Sequence, residues 1–325
     1  MLRTFAYVRP GSVSEALKHI EARGARIHAG GTDLLGCLRD GVFEAEKVVS
    51  LGKIDELRGI TLAPDGELRI GALTTIAEIA AHPVIAEKFG ALSQAASVVA
   101  SPQLRNQGTI GGNLCQRPRC WYFRGDYACT RKGGEMCYAV GGENQYHCIF
   151  GGGACVIVHP SDTAPALIAL DAKVRLIGPK GARVIPLEQF YVLPEKDATR
   201  ETVLEPGEMV MGVLVPASAA GQKSGYRKVR ARGSWDFATA GLAHAVTMKA
   251  GKVADARLVL SGVAPTPWRL TAVEKLIIGQ KLDAKLITRA AAAAVAGAKP
   301  LEHNAYKVPL VHGLVEEVLG GIPAA

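Results

Sequence analysis

Long apolar runs are missing from this chain of 325 residues. No stretch approaches the roughly 18 residues that a membrane-spanning helix needs, so a membrane span is not expected. The opening MLRTFAYVRPGSVSEALKHI has neither an apolar core nor a cleavage-like small-residue site. No secretory signal is read there, and the expected compartment is the reducing cytoplasm. Runs of positive charge are missing too: the formal charge is +8, yet no five basic residues stand together. A diffuse excess of that kind fits a solvated surface, or one that meets an acidic partner or a phosphorylated ligand, and nucleic acid is not expected. There is no C-x-x-C-H for covalent haem and no Ser-His-Asp arrangement for nucleophilic catalysis. Cysteine is scarce everywhere but in one place. Apart from Cys37, all of it lies between Cys115 and Cys155, and four residues fall in the polar run CQRPRCWYFRGDYACTRKGGEMC (115–137). A disulfide framework is not expected in a reducing compartment, least of all from seven cysteines, an odd number.

The length allows two domains. Ser12-Val-Ser-Glu15 and Thr75-Ile-Ala-Glu78 read as capping boxes opening helices, the second continuing to about Val99 with a break near His82-Pro83. Strands are expected at 25–29 and 47–51, and a hairpin around Asp65-Gly66. Residues 100–114 read as a glycine-punctuated loop. After the cysteines, CVIVH (155–159) reads as a strand, SDTAPALIAL as a short helix, and AKVRLIG, ARVIPL and EMVMGVLVP as strands. The small, polar stretch 216–225 reads as a linker. Beyond it a hairpin turning at Ala250-Gly251 and two or three helices make an α+β unit of ordinary domain size.

Two glycine loops carry the first functional signal. AGGTDLL (29–35) follows a strand, and adjacent glycines let the backbone turn sharply and aim successive N–H groups at phosphate oxygens. Alone it reads more readily as an ordinary turn; it is neither GxGxxG nor a P-loop. RNQGTIGGN (105–113) repeats the requirement, and two such loops in one half point to a long, phosphate-bearing cofactor between them. The cysteines carry the second signal. Their spacing, C-x4-C-x8-C-x7-C-x10-C-x6-C, offers just one close pair of the kind zinc sites favour. An iron–sulfur cube tolerates irregular spacing, and the intervening Arg, Lys and Gly suit its negative charge and sulfide acceptors. Spacing leaves iron–sulfur, zinc and buried free thiols open, and does not say which four of the six would bind.

Taken in order, AGGTDLL, TIGGN (109–113), SDTAPAL (161–167), YRKVRARGSWDFA (226–238) and GVAPTPWRLTAVEKLIIG (262–279) resemble the FAD-binding medium subunit of molybdenum hydroxylases, over nearly the whole chain. That family includes xanthine dehydrogenases, aldehyde oxidoreductases and carbon monoxide dehydrogenases. The resemblance implies an α+β fold: a two-part FAD-binding domain of PCMH type, CO dehydrogenase flavoprotein-like, over 1–218, then a smaller α+β domain over 222–325. Most members pass directly from TIGGN to the SD segment. Here an insertion at about 114–157 intervenes, similar to the 4Fe-4S loop of 4-hydroxybenzoyl-CoA reductase flavin subunits and, through RCWYFR (119–124), closer to that of periplasmic aldehyde oxidoreductases.

Carried over by position, the resemblance puts the cluster ligands at Cys120, Cys129, Cys137 and Cys155, leaving Cys115 and Cys148 over. It implies that Ala29, Gly30, Gly31, Thr32, Asp33, Leu34 and Leu35 hold the FAD pyrophosphate. Thr109, Gly111, Gly112 and Asn113 would run along the ribityl chain and ring, with Asp162 and Lys228 as further contacts. The plain alternatives are a helix N-cap for Asp162 and surface charge for Lys228. His147 is expected to face solvent, and His28 and His159 to be polar groups at strand ends. The function implied is an electron-transfer subunit of a heterotrimer, with the substrate pocket on another chain: a molybdenum-cofactor large subunit would oxidise an aldehyde, a 2Fe-2S small subunit would relay electrons, and an external acceptor would take them. A partner with its own export signal would carry such a complex to the periplasm. The rival readings are a stand-alone flavoprotein oxidoreductase and a zinc-stabilised binding module.

Overall fold

The computed structural model describes residues 2–322; Met1 and residues 323–325, which the expected domain limits take in, lie outside the described residues. The chain opens with a parallel sheet of β1 (Ala6–Val8), β2 (Ala25–His28) and β3 (Lys47–Ser50), in the order β1-β3-β2. A parallel pair needs a crossover, and the helix Val13–Ile20 supplies it, burying Val13, Ala16 and Ile20 against Val49 and Leu51. Ser12 caps that helix by accepting from the Glu15 amide at 3.2 Å. The Glu15 carboxylate accepts from Gly11 N–H rather than from Ser12, so the expected box is displaced by one residue.

A five-stranded antiparallel sheet follows, built from β4 (Ile60–Leu62), β5 (Leu68–Gly71), β6 (Lys173–Gly178), β7 (Gly181–Pro186) and β8 (Met209–Val215), in the order β4-β5-β8-β6-β7. Gly66 turns the β4–β5 hairpin at φ +84°, the left-handed region that favours glycine. The helices Ile76–Ala81, Pro83–Lys88 and Gly90–Ser97 break where His82-Pro83 predicts, with the proline in a first turn that needs no donor. Both bonds of the Thr75/Glu78 capping box are present. Leu68, Ile70, Ile79, Leu92, Leu167 and Val213 form the heart of the core between these helices and the sheet.

The last sheet is antiparallel: β9 (Lys223–Val229), β10 (Ala240–Lys249), β11 (Lys252–Ser261) and β12 (Trp268–Arg269), in the order β12-β11-β10-β9. Its hairpin turns at Ala250-Gly251, both at positive φ, as a tight two-residue turn requires. The helices Thr271–Ile277, Ala284–Val295 and Lys307–Gly320 cover one face. Tyr226, Ala243, Ala245 and Val259 of the other contribute to the core of the five-stranded sheet.

Three segments differ from expectation. Residues 100–114 contain two short helices, Pro102–Gln107 and Ile110–Leu114, because Ser101 and Thr109 each cap one, overriding the glycine signal. CVIVH is extended but forms no strand: Val156 O is bonded by Cys148 N–H and His159 N–H bonds Ala264 O, two different neighbours that cannot make one ladder. The linker is a 3-10 turn, Ala217–Gly221, running directly into β9. Among the described residues no helix is long and apolar enough to cross a membrane.

Candidate functional site

Both glycine loops open on one cavity of about 1020 Å³, at the upper end of small-molecule pockets. The first follows β2. Gly31 has φ +73°, and a Cβ on Gly30 would sit 1.8 Å from the Gln107 carbonyl oxygen, so backbone from the second loop packs where a side chain would be. Among the described residues, the amides of Gly30, Gly31, Thr32 and Asp33 donate to no acceptor. Free adjacent N–H groups of this kind are suited to an anion. Ala29 through Leu34 line the cavity, whereas Leu35 does not and is 40% exposed.

The second loop is braced instead. Ile110 N–H bonds Thr74 O, Gly111 N–H bonds Ala72 O, and Gly112 N–H donates to Thr109 Oγ1. Thr109, Gly111, Gly112 and Asn113 therefore present a fixed wall. A Cβ on Gly111 would meet Ala72 at 3.0 Å. Asn113 Oδ1 accepts from Ser161 Oγ at 2.5 Å and Thr163 Oγ1 at 2.6 Å, leaving its side-chain nitrogen without a partner among the described residues.

Asp162 lines the cavity and makes no side-chain cap, so the N-cap alternative does not hold; Ser161 Oγ takes the Ala164 amide in its place. Its two oxygens are occupied by Tyr226 OH and Lys228 Nζ, each at 2.7 Å. Burial pushes the Asp162 carboxyl above the ordinary range, with Lys228 opposing. Lys228 is buried, not surface charge; it stands behind Asp162, also donating to Val98 O, and does not line the cavity. His28 lies beneath Gly31 at the end of β2, and His159 is buried edge-on against Tyr191; neither lines this cavity.

The cysteine insertion forms the opposite wall through Gln116, Arg117, Arg119, Phe123 and Arg131. It is tied to the first loop at Asp33, whose carboxylate accepts from Arg117 N–H at 2.7 Å, from Arg119 and from Arg124. Burial works against that charge, but Arg119 and the other donors hold the carboxyl below its usual range. Asp33 thus faces the insertion rather than standing free for a ligand.

Within the insertion, Cys129 is set by a tight turn. Gly133 lies at φ +87°, and a Cβ on Gly134 would collide with Ala128 O at 1.8 Å. Cys120 caps the short helix Trp121–Arg124. Cys137 and Cys155 lie close enough to interact, which holds the Cys137 thiol below its ordinary range and pushes Cys155 above it. Burial raises Cys120 to about 11, with the neighbouring Cys155 and Cys129 sulfurs adding to it. Cys148 has Cys155 as a charged neighbour as well. Cys115 lines the large cavity. Cys148 packs beside Cys137 and Val156. Among the described residues no three His, Cys, Asp or Glu side chains are gathered as a single metal ion would need. A second cavity of about 210 Å³ runs from Asp162 to Cys120 and Trp121.

His147 corrects an expectation: it is buried, with Nε2 3.2 Å from Cys120 Sγ. Lys307, also fully buried, lies close by, and Asn304 donates to both His147 O and Cys148 O. The C-terminal segment thus covers this stretch, which local sequence could not show. Sequence reasoning also missed Arg26, Arg131 and Glu201. Arg26 lines the cavity from β2 with its guanidinium over Phe43, and no carboxylate pairs with it among the described residues. Its one signal was a lone cation two residues before the His28-Ala-Gly-Gly turn.

Residues 3–218 match the family described as FAD binding domain in molybdopterin dehydrogenase, and residues 226–321 the CO dehydrogenase flavoprotein C-terminal domain. The chain is similar to the aldehyde oxidoreductase FAD-binding subunit PaoB of Escherichia coli, at 36% identity over 98% of each chain. It is 30% identical to the carbon monoxide dehydrogenase medium chain of Hydrogenophaga pseudoflava, over 92% of this chain and 88% of that one. A solved structure of carbon monoxide dehydrogenase from H. pseudoflava superposes with a TM-score of 0.78 at 29% identity, covering 98% of this chain and 96% of the other.

Proposed function

The chain belongs to the FAD-binding medium subunits of the molybdenum hydroxylases, and from that premise we propose that it is the FAD- and 4Fe-4S-containing electron-transfer subunit of a heterotrimeric, aldehyde-oxidising complex. Residues 1–218, with the insertion at about 114–157, form the cofactor-binding unit, and 222–325 the unit that closes against it. The partners are a molybdenum-cofactor large subunit, a 2Fe-2S small subunit and an external electron acceptor.

The residues present fit both groups. For FAD, the unpartnered amides of Gly30, Gly31 and Thr32 and the Arg26 guanidinium suit the pyrophosphate. The braced wall of Thr109, Gly111, Gly112 and Asn113 suits the ribityl chain and ring, and Asp162 stands at its far side. For the cluster, Cys120, Cys129, Cys137 and Cys155 would be the ligands; Arg131 donates to Cys155 and His147 lies against Cys120. A cube spreads its thiolates over four corners, wider than the single-ion shell of zinc. Bound FAD supplies the exchange between one-electron and two-electron traffic. The chain's own residues orient the two groups, screen them from water and neutralise charge at the sulfurs.

One observation carries this reading: side chains of the cysteine insertion and both glycine loops line the same cavity, which supports placing the two cofactors side by side. Anaerobically purified protein, co-expressed with its natural companions, tests it by absorption and by iron, zinc and flavin analysis. Flavin with about four irons beyond those of the 2Fe-2S partner supports the reading. Flavin without iron favours a stand-alone flavoprotein, and zinc in molar ratio a binding module.

A further inference from the structure

Arg131 stands two residues after Cys129, in the 3-10 turn Thr130–Lys132, with its side chain 1% exposed. Nothing in its sequence context marks it out from the other arginines of the insertion. Its Nε donates to Cys155 Sγ at 3.4 Å, and Nη1 to Glu201 Oε1 at 2.6 Å. Glu201 comes from the body of the FAD-binding region, where its carbonyl accepts from Val192 N–H. Its second oxygen pairs with Arg117 at 3.0 Å. Arg131 also lines the large cavity. One guanidinium therefore touches a sulfur of the cysteine group, a buried carboxylate and the cavity wall.

A buried cation and anion each lose several kcal/mol of hydration, which only good geometry and further hydrogen bonds offset. An apolar pair would pack here at less risk, so a charged pair at this position calls for a reason beyond stability. Hydrogen bonds to sulfur and local net charge are two of the levers that set the potential of an iron–sulfur centre. Reduction adds one negative charge to the cluster. A cation donating to a ligand sulfur stabilises that form, and a carboxylate behind the cation weakens the effect.

We propose that Arg131 is a positioning residue that raises the reduction potential of the cluster bound through Cys155, and that Glu201 is its counterweight, lowering it. The inference rests on the cluster reading above. It assigns to the Arg131–Glu201 pair the setting of the potential gap between the two cofactors. A purely structural pair would behave differently: removing either member would loosen the insertion in the same way.

The test is an EPR-monitored redox titration of the whole complex, purified anaerobically, for wild type, Arg131→Met, Arg131→Lys and Glu201→Gln. Arg131→Met lowers the reduced-to-oxidised ratio at fixed poise about tenfold, a shift of about 59 mV for one electron. Glu201→Gln moves it the other way, and Arg131→Lys stays between Arg131→Met and wild type. Should Arg131→Met lose its iron, Arg131→Lys and Glu201→Gln decide the sign. Shifts in one direction for both members, or potentials within about twofold of the wild-type ratio, overturn this inference alone. A wild-type complex holding flavin but no iron beyond that of its 2Fe-2S subunit overturns the cluster reading and the inference with it.

Discussion

Asp33 of the first glycine loop accepts a hydrogen bond at 2.8 Å from Arg124 of the cysteine insertion. Arg124 Nη1 also reaches Cys37 Sγ at 2.8 Å, on the helix that the loop launches. The loop whose free amides suit a pyrophosphate is therefore held in place by the segment that carries the cysteines. Neither half of the site is complete by itself, and the consequences can be measured.

Asp33→Ala leaves Arg119 and Arg124 without their carboxylate in a largely buried place. Losing one member of such a pair costs on the order of 3 kcal/mol. Flavin and iron content are both expected to fall in the same preparation, whereas a defect confined to one cofactor would sink the idea of a shared tie.

Gly30→Ala places a methyl 1.8 Å from the Gln107 carbonyl oxygen, and backbone must move to admit it. Overpacking of this kind costs about 1–3 kcal/mol, so flavin affinity is expected to weaken by about tenfold or more. Gly36→Ala has open space within 4 Å and is the control, with flavin retention unchanged.

Cys129→Ala is expected to abolish cluster iron, while Cys148→Ala keeps it. Cys148 packs beside the group, but its backbone is held by Val156 and Asn304 irrespective of its sulfur. Iron analysis of both variants decides, and equal loss would overturn the choice of ligands.

Lys228→Met strands the Asp162 carboxylate in the interior and is expected to lower unfolding stability by about 3–5 kcal/mol. Adding Asp162→Asn removes the stranded charge and should recover part of that loss. Thermal melts of the two single variants and the double variant give the coupling.

Two histidines make stability depend on pH. Burial lowers His159 to about 3 and His244 to about 4. Below pH 6.5 the unfolded chain takes up a proton on each that the folded chain refuses, so stability is full above that value and falls as the solution is acidified. The slope is about 1.4 kcal/mol per pH unit for each histidine, until the folded values are reached. Melting temperature between pH 7 and pH 5 is the measurement; His244→Gln should make the decline shallower.

Much of the framework was legible because its signals are local. Thr75 and Glu78 close a cap within one turn, Pro83 ends one helix and starts the next, and Asp65-Gly66 and Ala250-Gly251 have backbone needs that few residues meet. Helices 102–107 and 110–114 were hidden behind their glycines, since Ser101 and Thr109 act through bonds that composition does not reveal. His147 was misjudged for a different reason: burial is a property of what covers a residue, and here the cover comes from Asn304 and Lys307, more than 150 positions away.

By itself the sequence determined that this chain has two glycine bends, a six-cysteine insertion after the second, and the order of motifs that marks its family. These are facts of covalent order and local conformation, which short-range sterics and capping enforce. Only the tertiary structure decided that Asp33 turns to the arginines of the insertion, that Lys228 stands behind Asp162, and that Arg131 joins Cys155 to Glu201 across 70 residues. Charges buried this deeply must find partners wherever the fold brings them, and no local rule specifies where that will be.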